Sequence, residues 1–471
     1  MKYFPVLFFL LLAFPGFAQP ESNPLTTWNL QDFFQQMVQV NPSARNAALL
    51  PAQADAALRL ARGAFDPKLY SEWQQKTFSG KEYYGISSSG IKMQTPFGPT
   101  LKSEFNRATG LYLNPEEKLP AEGQALLGIT LPLLNGLRTD AARANLRQAR
   151  LDVRGLEATR QSLLNDLLYD AGTAFVEWQI AWEQIRLFQQ ASQVAYTRYL
   201  AIRESFVQGD KPATDTLEAF IQYQNRLFDL NEATLALRTR SQVLEAFLTP
   251  AATTPDTPRF MYEAPQSETD TNAAPLQTFL QALPNHPELL TLTLELQKLD
   301  IERRLATEQL KPSLNLSYNL LGTGFRFNPA NNPNNNILLQ NNKWGIDFSF
   351  PLLLRKERGK LELVRIKSES TSNKAIQKQI QLETKLRNYY SEWENSSAQA
   401  ALYQGITDNY TQLLQAEQIK FDLGESSVFL LNTREQKLLE AQIKRIKLAG
   451  TARKSLLALY WASGQLPFRY L

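Results

Sequence analysis

The chain has no cysteine and a single histidine in 471 residues. Without a thiol there is no disulfide framework, no thiolate metal site and no cysteine nucleophile. The lone histidine, His286, excludes a histidine-rich metal centre and leaves a Ser-His-Asp device only one base to use. A dominant charge is missing too: 50 Lys and Arg face 46 Asp and Glu, a formal +4. That balance does not suit a protein that reads nucleic-acid phosphates through a basic surface. Beyond residue 20 no apolar run approaches the ~18–20 residues of a membrane-spanning helix. No GxxxxGK[ST] phosphate loop occurs, so energy for any work must come from a partner. The composition disfavours an enzyme and implies neither cofactor nor metal.

What is present begins with a targeting pattern. Lys2 gives a positive start, Val6 to Phe14 is almost wholly apolar, and Gly16-Phe17-Ala18 offers small residues where a signal peptidase reads. Residues 1–18 are therefore expected to be a signal peptide, with Gln19 as the mature start. No cysteine follows, so a lipid-anchored start is excluded. An exported chain with no spanning helix can enter a membrane only as a closed β-barrel.

The chain is written twice. LQDFFQQMVQVNPSARNA in the first half answers LQTFLQALPNHPELLTL in the second. Pro42 and Pro287 stand 245 residues apart, and so do Pro67 and Pro312. Pro132 and Pro351 are 219 apart, and Gly209 and Gly424 are 215 apart. Offsets that hold inside elements and change only in loops indicate a duplication. The expected organisation is a first repeat over 19–249, a connecting segment over 250–275 and a second repeat over 276–471. His286 falls where the other copy has Asn41, at a helix-to-helix turn, and reads as a turn residue.

Each copy reads as helix, strand, loop, strand and a very long helix pair. Leu314, Leu316, Tyr318 and Leu320 alternate with Asn315, Ser317 and Asn319; Trp344, Ile346, Phe348 and Phe350 alternate with Gly345, Asp347 and Ser349. Side chains alternate across a strand, so each segment has one apolar and one polar face, as in a lipid-facing barrel around a wet lumen. Strands are expected near 68–79, 124–131, 313–321 and 343–350. Pro67 and Pro312 precede the first strand of each copy and Pro132 and Pro351 follow the second; proline cannot donate to a ladder, so these four read as the barrel rim. Between the strands, 80–124 and the asparagine-rich 328–342 read as extracellular loops, the former with possible short extra strands around Ile86–Met93 and Leu101–Phe105.

The helices are long. Arg138 to Phe206 holds no proline, and one seven-residue register runs through Leu164, Leu168, Ala171, Phe175, Trp178 and Trp182. A second runs through Leu386, Tyr389, Trp393, Ser396, Ala400 and Tyr403, continuing to Leu414. Such seams give coiled-coil packing. About 65 residues at 1.5 Å each extend ~100 Å, more than a single globular core needs. Each long helix ends at Gly209-Asp210 or Gly424-Glu425, where glycine closes one helix and acidic residues favour the start of the next.

The ordered set of NPSARNA, the strand entries FDPKLYSEW and LKPSLNLSY, ITLPLL and FSFPLL, and the tip motifs GDKPATDTLEA and GESSVFLLNTREQ resembles the TolC family of outer-membrane efflux proteins. The resemblance covers nearly all of the mature chain. It implies a mainly α fold with a β-barrel portion, in which four strands per chain contribute to a twelve-strand transmembrane barrel of a homotrimer. The long helices then continue the barrel as a periplasmic tunnel. It implies a passive exit duct in the cell outer membrane, working with a periplasmic adaptor (membrane fusion) protein and an inner-membrane transporter. A subunit sheet too narrow to close by itself leaves two unpaired edges in lipid, so closure by several chains is also what the physics of the bilayer asks for.

The resemblance places the periplasmic entrance and gate at the helix tips. Candidate residues there are Gly209, Asp210, Asp215, Asp422, Gly424, Glu425 and Arg434, with Asp215 at a gate position six residues after its tip glycine. The chain departs from the better-known members at the second tip, where their paired pore-facing aspartates correspond to Leu430 and Thr433. A periplasmic coiled-coil adaptor or scaffold is the alternative reading; it predicts a compact β-rich domain between the helical arms.

Overall fold

The computed structural model describes residues 29–110, 112–248, 273–327 and 341–470. The expected signal peptide, positions 250–272 of the connecting segment and the asparagine-rich positions 328–340 lie outside the described residues. The first copy runs α1 (Leu30–Val40), α2 (Pro42–Arg62), β1 (Lys68–Phe78), β2 (Lys81–Gln94), β3 (Thr100–Thr109), β4 (Gln124–Pro132), α3 (Ala141–Val207) and α4 (Ala213–Leu248). The second runs α5 (Leu276–Ala282), α6 (Pro287–Glu308), β5 (Ser313–Thr323), β6 (Asn342–Ser349), α7 (Arg355–Asp422) and α8 (Val428–Ala462), and a short α9 (Leu466–Tyr470) closes the chain.

The two copies start their second helices in the same way. Pro42 and Pro287 occupy the first helical turn, where a missing N–H costs nothing. The side chain before each proline caps the helix: Asn41 accepts from the Ser43 amide at 2.9 Å, and His286 Nδ1 accepts from the Glu288 amide at 3.2 Å. Both caps are buried. His286 is thus a helix cap, the counterpart of Asn41.

All strands form one antiparallel sheet in chain order, β1-β2-β3-β4-β5-β6. Among the described residues the sheet has six strands: the four expected, and the extra pair expected around Ile86–Met93 and Leu101–Phe105, which is longer than the short strands expected there. The additional pair, β2 and β3, falls in the stretch that reads as an extracellular loop. Ser87-Ser88-Ser89-Gly90 in β2 dilutes the period-two signal, and the ladder to β1 and β3, not the side chains, fixes it as a strand. Pro132 is the last residue of β4, paired with Asn315, instead of following the strand.

Register puts like with like across the sheet. Met93, Leu101, Ile129, Tyr318 and Trp344 stand side by side on one face. Lys102, Gly128 and Asn319 form a row on the other. On the polar face the Glu104 carboxylate accepts from Tyr70 and from Asn106 at 2.9 Å, and pairs with Lys102 at 2.6 Å. On the apolar face Leu69 and Trp73 are 82 % and 72 % exposed, and Trp344, Ile346 and Phe348 are exposed as well.

Among the helices, α3 packs against both α4 and α8, and α8 against both α3 and α7, so α4 and α7 lie on the flanks. The main core sits around the middle of the long helices. Phe33, Phe34 and Met37 of α1 meet Leu168, Phe175 and Trp178 of α3, Leu386 of α7 and Leu459 of α8. Phe175 stacks on Phe33 with ring centroids 5.3 Å apart. Polar contacts stitch α3 to α8: Asn165 donates to the Trp461 carbonyl at 2.8 Å, and Arg453 to Gln179 at 2.8 Å. Among the described residues no helix is long and apolar enough to cross a membrane.

Candidate functional site

Both helix hairpins turn by one device. Gly209 has φ +86° and Gly424 φ +77°, in the left-handed region that glycine adopts without a Cβ clash. The Asp210 amide donates to the Ser205 carbonyl at 2.9 Å and the Gly209 amide to Phe206 at 3.0 Å. The Glu425 amide donates to Lys420 at 2.8 Å and the Gly424 amide to Phe421 at 3.0 Å. These paired bonds close the last helical turn and satisfy carbonyls that would otherwise be orphaned. Ser427 then caps α8 by accepting from the Leu430 amide at 3.3 Å.

The two tips meet. Ile202 of α3, Ala219 of α4 and Val428 of α8 are buried together, with Tyr199 and Phe421 against them. The Lys211 ammonium lies 5.1 Å from the Phe421 ring centroid, a cation–π contact from the first tip to the second. One helical stretch away from the turns, Arg198 of α3 donates to both Glu435 oxygens and, at 3.2 Å, to Asn432 of α8. Its fork holds the carboxylate in two parallel bonds, a geometry lysine could not supply. Arg226 of α4, 4 % exposed, pairs with Asp229 at 2.8 Å and reaches Gln436 of α8.

Within the second hairpin, Glu417 accepts from Ser426 at 2.6 Å and lies 3.6 Å from Arg434. The Ser426 hydrogen bond, with Arg434 nearby, holds the Glu417 carboxyl below its ordinary pKa.

Of the candidate residues, Arg434 is thus engaged with Glu417 across its own hairpin. Asp422 accepts from Gln418 at 2.8 Å on its own helix. Asp210, Asp422 and Glu425 are exposed at the turns, and Asp215 is half-buried in the first turn of α4. Among the described residues no cation pairs with Asp215. Leu430 is exposed, and the Thr433 hydroxyl is turned back onto the Phe429 carbonyl at 2.8 Å. Among the described residues no cluster of His, Asp or Glu could hold a metal ion.

Arg198, Glu435 and Arg226, which tie the tips together, and Glu417, which braces the second hairpin, are not among those the sequence points to. Glu417 had a signal. The register through Tyr403, Thr407, Tyr410 and Leu414 continues to 417, and a charge on an apolar seam calls for a partner. Arg198 had none, because its partner lies 237 residues away in the other copy.

This architecture, two long helical hairpins below a sheet with one apolar face, is a fold shared with solved outer-membrane channels. Residues 279–465 match the outer membrane efflux protein family. Over 98 % of this chain and 94 % of the other, the fold matches the CmeC outer membrane channel of Campylobacter jejuni, with TM-score 0.66 and 14 % identity. VceC of Vibrio cholerae matches over 92 % of this chain and 96 % of its own, with TM-score 0.63 and 14 % identity. The open-state MtrE outer membrane channel of Neisseria gonorrhoeae matches over 92 % and 88 %, with the same score and identity. No curated protein matches by sequence. The match over residues 279–465 and the shared fold agree with the resemblance drawn from the sequence motifs.

Proposed function

We propose that the protein is the outer-membrane exit duct of a tripartite efflux or type I secretion system, and that it conducts passively as a homotrimer. The sheet supplies one third of a barrel in the outer membrane, and the helices extend into the periplasm. The tips around Gly209 and Gly424 are the entrance, where a periplasmic adaptor docks and couples the duct to an inner-membrane transporter.

One observation carries this reading. A six-stranded sheet exposes one apolar face and leaves two edge strands, β1 and β6, unpaired. In lipid each unpaired backbone group costs several kcal/mol, and pairing with further copies removes that cost. The flanking helices fit the same assembly. Leu217, Phe228 and Leu235 on α4, and Ile366, Ile376 and Ile380 on α7, are exposed large apolar residues on opposite flanks of one chain. An adaptor would instead carry a compact β-domain between its helical arms, whereas this sheet is open and apolar on one side.

Fractionation tests the reading first: the protein should enter the outer-membrane fraction, and recovery in the soluble periplasm would reject the duct. Reconstituted in planar bilayers, the purified protein should give discrete conductance steps without nucleotide. A membrane-bound protein that never conducts would remove the transport assignment.

A further inference from the structure

We infer that three copies of this chain close an eighteen-stranded barrel instead of the twelve-stranded one that the resemblance implies. The inference rests on the trimeric duct proposed above and concerns the hairpin β2–β3, which has no place in a four-strand contribution.

The hairpin is a full part of the wall. β1 pairs with β2 from Lys68↔Lys92 to Phe78↔Lys81, β2 with β3 from Gly85↔Thr109 to Gln94↔Thr100, and β3 with β4 from Thr100↔Thr130 to Asn106↔Gln124. β1 and β4 therefore have two strands between them. Near the helical end the inside–outside alternation passes through the added strands: Met93 and Leu101 extend the apolar row of Ile129 and Tyr318, while Lys102 and Glu104 face the polar side.

The apolar band also climbs across the ladder. On β6 it occupies Trp344 to Phe348, near the helical end. On β3 it has moved to Leu101 and Phe105, and on β1 to Leu69 and Trp73. A band that crosses the hydrogen-bonding direction obliquely is what strands tilted by ~35–45° to a membrane normal require. β3 follows that slope, and on β2 the band is carried by Ile91 and Met93, level with Ser103 and Leu101.

The turn of the hairpin, Thr95–Pro99, is bolted to the helical body. Arg143 of α3, 7 % exposed, donates to the carbonyls of Phe97 at 3.4 Å and Leu137 at 3.2 Å, and also to that of Gly136. Asp140, the cap of α3, pairs with Arg143 at 2.9 Å and accepts from Gln94 at 3.2 Å. The turn thus sits at the helical rim, beside the end of β4, and the hairpin crosses the full height of the sheet.

Closure follows from the edges. With six antiparallel strands, β1 and β6 run in opposite directions, so β1 of one copy meets β6 of the next as an antiparallel pair. At ~4.8 Å between strands and a tilt of ~40°, eighteen strands enclose a backbone diameter of ~36 Å, against ~24 Å for twelve. The exit is thus ~1.5-fold wider than the resemblance implies.

Electron cryo-microscopy of the full-length protein in lipid nanodiscs should count eighteen strands around a threefold axis. Twelve strands around a threefold axis, with residues 81–109 outside the wall, would overturn the inference and leave the duct standing. A different symmetry would overturn the trimer itself. The absence of cysteine gives a second, independent arm. In isolated outer membranes S103C/L127C, facing partners on β3 and β4, should form an intrachain disulfide, and L69C/L127C should not. A crosslink in the latter, or none in the former, would place β1 directly beside β4 and overturn the eighteen-stranded wall.

Discussion

α3 and α7 hold the same place in the two copies and are nearly equal in length, 67 and 68 residues, yet they live in different surroundings. α3 buries 19 residues, including Leu168, Phe175 and Trp178, whereas α7 buries six. The return helices invert the pattern: α4 buries five of 36 residues and α8 buries 16 of 35. The single chain therefore satisfies one helix from each hairpin, the outgoing one in the first copy and the returning one in the second. The helices left over carry Ile376, Ile380, Phe228 and Leu235 on their surfaces. A duplication that packed symmetrically within one chain would have no such remainder; here the remainder is what further copies would cover.

The contrast can be broken from the interior side first. Phe175→Ala removes a ring that is 1 % exposed, and should cost about 3–5 kcal/mol in denaturant unfolding. A cost near zero would mean that α3 is not the interior helix. Arg198→Ala should cost about 2–3 kcal/mol, less than a fully buried pair because both partners keep some water contact. Hydrogen exchange should quicken in α3 and α8 near the tips and stay unchanged at the sheet.

His286 offers a pH test of the two copies against each other. Burial pushes its imidazole pKa down, with Lys378 adding to the effect and Glu288 opposing it. The folded state then prefers the neutral ring. Stability is full above the unfolded value of about 6.5 and is lost as pH falls toward the folded pKa. The melting temperature should drop between pH 7 and 5 and flatten in His286→Asn, which installs the cap the first copy already uses; equal slopes would remove the cap's share.

On the flank, I376D/I380D should change the unfolding of the single chain by less than ~0.5 kcal/mol while shifting assembled protein toward monomer on native gels. An unchanged assembly would mean that α7 does not face a neighbouring copy. Smallest in stability, Asp215→Ala should leave unfolding within ~0.5 kcal/mol yet raise single-channel open probability. No change would remove its proposed part in the gate.

Much of this molecule is legible in its sequence because periodic elements repeat. The long helices, the tip glycines and the strands flanked by Pro67, Pro312 and Pro351 all recur at consistent offsets. The hairpin β2–β3 did not read as clearly, since it has no counterpart in the second copy and its serines blur the alternation. The tip region is only half legible. Gly209 and Gly424 are fixed by local backbone geometry, whereas the bonds that join the tips pair residues from different copies, such as Arg198 with Glu435. No local pattern encodes a partner two hundred residues away.

The unbroken run of α3 has a mechanical corollary. Sixty-seven residues make a strut of ~100 Å, pinned at its upper end by the Asp140–Arg143 clasp and braced midway where Gly172 lets Phe34 and Leu457 press close. Pivoting such a strut by one degree at the clasp sweeps its far end through ~2 Å, enough to make or sever a hydrogen bond there. Small leverage beside the sheet and large travel at Gly209 are two ends of the same beam.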